Sequence, residues 1–233
     1  SDPDHFDDRI GTHVINPFRV PRDWKVERCF DFGYTRPSAC LWVAISPDNI
    51  KYVIREYYTC TGTPNVGTKK HHVEIAEEIR EIEDTDENLK GRKIIGVADP
   101  AIFDESRGMS IAADMAKAPN YIVWHRGDHK RLPGKMQFHY HLAFDDNGIP
   151  MMQVFNTCKH TIRTIPTLVY DETNVEDLNS DGEDHIYDAL RYLLMDHPVP
   201  ARGKAPQEFD SKLLFDPLNQ RTDKNGKISF KHI

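Results

Sequence analysis

Residues 28–58, RCFDFGYTRPSACLWVAISPDNIKYVIREYY, contain three apolar runs, at 28–32, 39–45 and 51–58. Each run is rich in β-branched and aromatic residues, and short runs of this kind bounded by turn residues are typical of strands. The tetrapeptide Ser46-Pro47-Asp48-Asn49 separates the second run from the third and has the composition of a tight turn. We therefore predict a three-stranded antiparallel meander.

Helix and strand patterns alternate in the chain that follows. Helical spacing of apolar residues and short apolar runs predict helices at 70–83, 110–118 and 184–195 and strands at 93–98 and 121–125. Asp145-Asp146-Asn147-Gly148 is a strong hairpin signal, which predicts a β-hairpin between 136–144 and 151–155. This order of elements predicts an α/β domain with a mixed β-sheet flanked by helices and a β-hairpin insertion.

The two ends of the chain differ in composition from this domain. Residues 1–23 have no periodic pattern and are interrupted by prolines, which indicates a leader or linker. The predicted elements lie within 24–200, with an acidic loop at 171–183. Residues 201–233 are rich in charged residues, proline and glycine, which is typical of a flexible C-terminal tail.

The composition is that of an ordinary globular protein. The 233 residues include 30 basic and 37 acidic side chains, for a net charge of −7, and 39% are hydrophobic, which excludes a disordered or fibrous chain. The longest apolar run, 39–45, is far shorter than the ~18 residues of a membrane span, and the N-terminus does not resemble a signal peptide. We expect neither membrane insertion nor secretion. Four cysteines without a CxxC pair disfavour a structural zinc site and are expected in the core.

Three aspartates occupy positions where a carboxylate is costly. Asp31 lies in an apolar strand, Asp99 ends the strand at 93–98, and Asp188 sits beside the apolar face of the last helix. A charge in such a place needs a partner, a proton or a metal ion. If the three converge, they form an oxygen-rich site for Mg²⁺ or Mn²⁺. Two such ions can activate a water and stabilise the leaving oxygen of a phosphodiester.

Simpler interpretations remain open for these side chains. Each aspartate also fits a helix cap, a turn or a surface ion pair. Asp184 lies one helical turn before Asp188 and fits the N-cap of its own helix. His185 fits a metal ligand, a proton shuttle, a phosphate contact or a plain partner of an aspartate.

Basic residues collect between 126 and 163, where six of them stand against three acidic residues, a local charge of +3. Histidines and aromatic residues are interleaved with them, as in surfaces that follow a nucleic-acid backbone. A solvated face is the alternative interpretation. The candidate phosphate contacts are Lys130, Arg131, Lys135, Lys159 and Arg163.

Several motifs of nucleotide and hydrolase chemistry are absent from the sequence. It contains no GxxxxGK[ST], GxGxxG, GxSxG or HExxH. These absences disfavour phosphate-cradling ATPases, Rossmann enzymes, α/β-hydrolases and zinc proteases.

Four segments resemble, in order and spacing, the nuclease domain of tailed-phage terminase large subunits. They are FDFGY at 30–34, VADPA at 97–101, CKHTIRTIP at 158–166 and EDHIYDALRY at 183–192. The resemblance runs from about residue 24 to residue 197, and the last segment is its most specific part. The predicted order of elements is also that of ribonuclease-H-like nucleases, so the resemblance implies an RNase H/RuvC-like fold.

The resemblance implies an endonuclease that uses two Mg²⁺ or Mn²⁺ ions to cut concatemeric phage DNA at the start and end of genome packaging. Asp31, Asp99 and Asp188 fall on its catalytic, metal-binding acids. His185 falls where some members carry a functional histidine, and Asp184 falls on an acidic position that would add a metal ligand. The expected hairpin corresponds to an insertion that lies beside the active site in that family.

The resemblance also implies partners: double-stranded DNA, the ATPase motor domain of the same full-length protein, the portal and the small terminase subunit. It implies a location in the host cytoplasm and, transiently, at the procapsid portal. We expect the chain to be an excised C-terminal domain. The alternatives are a RuvC-like junction resolvase or ribonuclease H on the same fold, and a non-catalytic DNA- or portal-binding module whose carboxylates are structural.

Overall fold

The computed structural model describes residues 6, 8–9, 11–106, 108–145, 147–169 and 182–200. Within these ranges the chain forms a seven-stranded mixed β-sheet flanked by helices, which confirms the predicted fold class. The strands are β1 Val14–Ile15, β2 Lys25–Asp31, β3 Ala39–Ile45, β4 Lys51–Tyr58, β5 Ile95–Ala98, β6 His125–Arg126 and β7 Met152–Phe155. Their order across the sheet is β1-β7-β4-β3-β2-β5-β6.

The predicted meander is confirmed and forms the middle of the sheet. β2 pairs antiparallel with β3, and β3 pairs antiparallel with β4. β5 joins β2 in parallel, and β7 joins β4 in parallel. β3 is apolar at every position and almost wholly buried, as expected of a strand covered on both faces. β2, which carries Asp31, is therefore a central strand with a neighbour on each side.

The helices of the described ranges are α1 His72–Thr85, α2 Ile111–Met115, α3 Arg131–Leu142, α4 Lys159–Val169 and α5 His185–Asp196, with a short 3₁₀ helix at Pro100–Phe103. α5 packs against β2 and β3 and contacts both α3 and α4. Because successive residues of a strand point to opposite faces, Arg28 of β2 contacts α1 while Asp31 contacts α5. No helix in these ranges is long and apolar enough to cross a membrane.

The predicted β-hairpin is wrong, because the segment before its turn is the helix α3. The turn itself forms, since the Asp145 carboxylate accepts hydrogen bonds from two backbone N–H groups beyond it. Among the described residues, the only β-bridge between its two sides is an isolated one between Phe144 and Pro150. α3 instead buries Phe138 and Leu142, four residues apart on one helical face. β7 pairs in parallel with β1 and β4.

The described part of the predicted linker is packed on the domain, so the linker interpretation is wrong for residues 11–23. β1 extends the sheet beyond β7, and Val14 and Val20 are each 2% exposed. The guanidinium of Arg92 donates to the backbone carbonyls of Val20 at 2.9 Å and Trp24 at 2.7 Å. Residues 1–5 lie outside the described residues, as do 201–233, where the flexible tail was predicted, and most of the predicted acidic loop.

Three smaller differences concern the second half of the domain. α4 was not predicted; it contains Pro166, a residue that usually argues against a helix interior. The strand predicted at 121–125 is reduced to the two residues of β6. The predicted core position of the cysteines is confirmed for Cys29, Cys40 and Cys158, which are buried free thiols.

Candidate active site

Asp31 and Asp99 lie side by side at one edge of the sheet. Asp31 is the last residue of β2, and Asp99 directly follows β5. The two strands run in parallel, and the backbone N–H of Asp99 donates to the carbonyl of Phe30 at 3.0 Å. Because parallel strands end at the same edge, the ladder itself brings the two carboxylates together.

α5 adds His185 and Asp188 to this edge. His185 Nδ1 lies 2.9 Å from Asp31 Oδ2. Burial raises the pKa of Asp31 to about 7, and the charges of Asp188 and Asp99 add to this effect while the contact with His185 opposes it. Asp31, Asp99 and Asp188 are therefore close enough for the charges of the latter two to act on Asp31.

The imidazole of His185 is held on both sides. Its Nε2 lies 3.2 Å from Asn65 Oδ1, while its Nδ1 contacts Asp31. Burial disfavours the protonated ring, but the hydrogen bond with Asp31 and the charges of Asp31, Asp184 and Asp188 outweigh it and raise the pKa of His185. The contact with Asp31 therefore favours the protonated form of the His185 ring. Of the interpretations that the sequence left open, the partner of an aspartate is the one present.

The helix-cap interpretation applies to Asp99 but not to Asp184. Asp184 precedes α5, but its side chain makes no capping hydrogen bond. Burial and the charge of Asp188 raise the pKa of Asp184, while Arg131 at the start of α3 lowers it, so Asp184 belongs to the acidic group. Asp99 Oδ1 accepts a hydrogen bond from the N–H of Ala101 at 3.1 Å. Asp99 thus caps the 3₁₀ helix and lies beside Asp31.

Arg191 is the counter-charge of Asp188. Its Nε donates to Asp188 Oδ1 at 2.9 Å, and the residue is 3% exposed. Gly134 of α3 packs on its stem: a Cβ atom on Gly134 would lie 2.6 Å from Arg191 Cδ. Arg191 was not predicted from the sequence, although an Asp–Arg pair spaced by three on a helix is a local signal of such a contact.

Glu183 is a second residue that the sequence analysis missed. Its carboxylate accepts both Nη groups of Arg163, at 2.5 and 2.8 Å, and the hydroxyl of Tyr58 at 3.0 Å. The hydrogen bonds from Arg163 chiefly lower the pKa of Glu183 to about 2. Asn65 Nδ2 donates to the carbonyl of Gly182 at 3.1 Å. Glu183 and Asn65 together fix the chain at the start of α5.

The candidate phosphate contacts differ in their exposure and in their partners. Arg163 is paired with Glu183 through both of its Nη groups, although its side chain is 45% exposed. Lys130 precedes α3 and its side chain is 70% exposed, near Asp128. Arg131, in the first turn of α3, slightly lowers the pKa of Asp184 through its charge. The remaining two are Lys135, half-buried on α3, and Lys159, exposed at the start of α4.

The donor set of this edge fits a hard divalent cation. Carboxylate oxygens are the preferred ligands of Mg²⁺ and Mn²⁺. Burial chiefly raises the pKa of Asp31, and a bound cation would relieve the smaller repulsion from Asp188 and Asp99. In the described ranges, no three His, Cys, Asp or Glu side chains are arranged to hold a metal ion. His185 and Arg191 instead neutralise Asp31 and Asp188.

No protein-family model matches the chain, and a comparison with curated protein sequences finds no match. Solved structures do match. The large terminase of a thermophilic bacteriophage matches with a TM-score of 0.55 and 22% identity, over 83% of this chain and 43% of that chain. The P22 large terminase nuclease domain matches with a TM-score of 0.57 and 16% identity, over 79% of this chain and 87% of that chain.

The chain spans less than half the length of the thermophilic phage's large terminase but is matched with most of the P22 nuclease domain. Because these matches cover about four-fifths of the chain, the similarity concerns the whole fold and not a single motif. The chain has the fold of the nuclease domain of a large terminase.

Proposed function

We propose that this chain is a metal-dependent DNA endonuclease that cuts concatemeric viral DNA during phage genome packaging, as the nuclease domain of a terminase large subunit. The observation that carries the proposal is the group of aspartates at one sheet edge: Asp31 and Asp99 on neighbouring parallel strands, with Asp188 close enough to raise the pKa of Asp31. The fold, shared with a nuclease domain, supports it.

Asp31, Asp99 and Asp188, with Asp184, would hold two Mg²⁺ or Mn²⁺ ions. Such ions, when bound, activate a water and neutralise the leaving oxygen of a phosphodiester. The chain's own residues would position the reacting groups and transfer protons. Asn65 and Asp31 hold the His185 ring from both sides, so a proton at its Nδ1 can pass to Asp31 or to a group beside it.

Double-stranded DNA would reach this edge along α3. The supporting observation is that Arg131 lies near Asp184, so the first turn of α3 brings positive charge to the acidic group. We propose Lys130, Arg131, Lys135 and Lys159 as phosphate contacts. The role of Arg163 is different, because both of its Nη groups are bonded to Glu183.

The wider assembly follows from the same proposal. The ATPase motor domain of a full-length large subunit, the portal and the small terminase subunit are the proposed partners. The proposed place of action is the host cytoplasm, transiently at the procapsid portal. The similarity to a large terminase of more than twice the matched length supports the motor domain among these partners.

The test is cleavage of supercoiled plasmid in Mg²⁺, Mn²⁺ or chelator. We expect metal-dependent nicking and linearisation, with a loss of orders of magnitude in Asp31→Asn, Asp99→Asn and Asp188→Asn, because each change removes a charge that holds the ions. Asp48→Asn, in an exposed turn, is the matched control. DNA binding without cutting in any metal would point to the binding module, and preference for four-way junctions or RNA–DNA hybrids to the related enzymes.

A further inference from the structure

A cavity of about 460 Å³ lies beside the beginning of β5, on the face of the sheet that α1 covers. Its lining includes Arg28, Arg80, Arg92, Lys93, Tyr121 and Trp124 and none of the candidate catalytic aspartates. Its volume falls in the range of about 300–1,000 Å³ that is usual for small-molecule sites. The cavity is thus separate from the edge where Asp31 and Asp99 lie.

The lining carries a large excess of positive charge. Four basic residues and one acidic residue, Glu83, contribute to it, a net charge of +3 with histidine neutral. Arg28 and Arg80 share Glu83, at 2.8 and 3.3 Å. The donors of Arg92 go to neutral backbone carbonyls, which do not cancel its charge. A cavity with low-dielectric walls concentrates such a field, so it attracts anions.

Two buried donors of the lining have no hydrogen-bond partner among the described residues. They are Arg28 Nε and Trp124 Nε1, on residues that are 2% and 6% exposed. The guanidinium of Arg28 also stacks over the Trp124 ring, 4.5 Å from its centroid. Buried polar groups are nearly always paired, so these two unpaired donors add to the positive potential behind the cavity wall, although neither atom is open to solvent.

The rim of the cavity is apolar and exposed. Tyr121, Val123 and Ile95 are 62%, 61% and 45% exposed. Tyr121 has a φ of 51°, a left-handed conformation that bulky residues seldom adopt. Its carbonyl accepts from Arg80 Nη2 at 3.3 Å and its N–H donates to the carbonyl of Lys117 at 3.0 Å. These contacts fix the backbone of Tyr121 and so place its exposed ring at the rim, where a flat ligand can stack on it.

We propose that this cavity binds a 5′-phosphorylated nucleotide, with the phosphate near Lys93 and the base against Tyr121. Lys93 is exposed and has no ion-pair partner within the described chain, so its ammonium is available to the phosphate. The nucleotide can come from two sources, a free mononucleotide or the 5′-phosphorylated end of a DNA strand. Neither requires a metal ion at this place.

The test is calorimetric titration of the full chain in EDTA with deoxyadenosine monophosphate, deoxyadenosine or inorganic phosphate. We expect the monophosphate to bind more tightly than either fragment. Lys93→Glu should weaken binding about tenfold or more, because it replaces a charged hydrogen bond by repulsion. Tyr121→Asn should weaken it about fivefold or more through lost stacking, while asparagine tolerates the left-handed backbone.

Lys69→Glu is the matched control, since Lys69 is an exposed lysine outside the lining. Equal weakening by Lys69→Glu and Lys93→Glu, or no binding of the monophosphate, would overturn the proposal. Binding of phosphate alone as tightly as the monophosphate would overturn the stacking of the base. Tetranucleotides with and without a 5′-phosphate identify the source: tight binding of the phosphorylated one assigns the site to DNA ends. Thermal unfolding of each variant checks that it remains folded.

Discussion

At the scale of single residues, the Asp31 carboxyl is held where its charge is least favoured. It is 8% exposed and lies near Asp188 and Asp99, with His185 as its compensating partner. A carboxyl in this position has three ways to be stable: a proton, the imidazolium of His185, or a metal ion. The second of these is at hand in the structure, because His185 Nδ1 lies 2.9 Å from Asp31 Oδ2.

This environment makes the stability of the metal-free protein depend on pH. Burial, with the charges of Asp188 and Asp99, raises the pKa of Asp31 to about 7, above the value of about 3.9 in an unfolded chain. The folded state thus binds the proton more tightly, so this contribution to stability is full below about pH 4 and is lost as pH rises through 7. We expect Asp31→Asn to remove this dependence and to be more stable than the wild type at pH 8 by about 1 kcal/mol or more.

Urea unfolding in EDTA at several pH values measures this effect. Asp48→Asn should keep the wild-type pH dependence, because that side chain lies in the exposed turn between β3 and β4 and does not affect the pKa of Asp31. An Asp31→Asn variant whose stability falls between pH 4 and 8 as steeply as that of the wild type would mean that another group titrates.

The residues of the site differ in how far the sequence could predict them. Asp31, Asp99 and Asp188 stood out because a carboxylate in an apolar strand or beside an apolar helix face is a local anomaly. Asn65 and Glu183 gave no such signal. Asn65 contacts His185, 120 positions away, and Glu183 contacts Tyr58, 125 positions away. Contacts this distant exist only in the folded chain, so no local pattern marks these residues.

At the scale of the elements, Glu183 joins three pieces of the fold. Glu183 lies just before the start of α5. Its carboxylate contacts Tyr58 at the end of β4, Cys60 just beyond β4, and Arg163 on α4. α5 has no side-chain N-cap of its own, since Asp184 makes no capping hydrogen bond. The position of His185 on the first turn of α5 therefore depends on Glu183.

Reversing the charges of this pair distinguishes its role from DNA contact. We expect Arg163→Glu and Glu183→Arg each to lower the free energy of unfolding by about 1–2 kcal/mol, a modest value because Arg163 is half exposed. Each should also lower plasmid cleavage, since the start of α5 shifts. The double variant should recover most of both, because the pair is restored with its charges exchanged.

Double-mutant analysis of unfolding, with DNA affinity measured at several salt concentrations, distinguishes a structural role of Arg163 from contact with DNA. If Arg163 acted on DNA phosphates, the double variant would regain stability but not affinity, and the salt dependence would stay reduced in every variant that carries the Arg163→Glu change.

The elements also show where local patterns mislead. The turn at 145–148 was recognised correctly, but a turn sequence does not determine what precedes it. α3 has Pro133 and Gly134 in its first half, and these residues weaken its helical pattern in the sequence. Its apolar face is evident only from its packing on α5, where the ring centroids of Phe138 and Tyr187 lie 4.5 Å apart. Tertiary packing decided this element, whereas β2, β3 and β4 have enough local character to be predicted from sequence alone.

At the scale of the whole domain, the N-terminal segment closes one side of the sheet. β1 pairs with β7, His13 Nε2 lies 2.8 Å from the carbonyl of Leu142, and Val20 is buried. The sequence analysis missed this because β1 has two residues, too few for any periodicity, and its partner strand lies about 140 positions later. A segment that reads as a linker is therefore part of the core.

We expect a chain beginning at Trp24 to be much less stable than one beginning at Gly11. The shorter chain loses β1, the buried side chains of Val14 and Val20, and carbonyls that bind Arg92, while the longer one keeps all of them. Burial of the two valines alone is worth about 3 kcal/mol or more. Urea unfolding of the two chains, with the full 233 residues as reference, measures the difference. Equal midpoints would show that residues 11–23 contribute nothing to the core, and that the domain is complete from Trp24 onward.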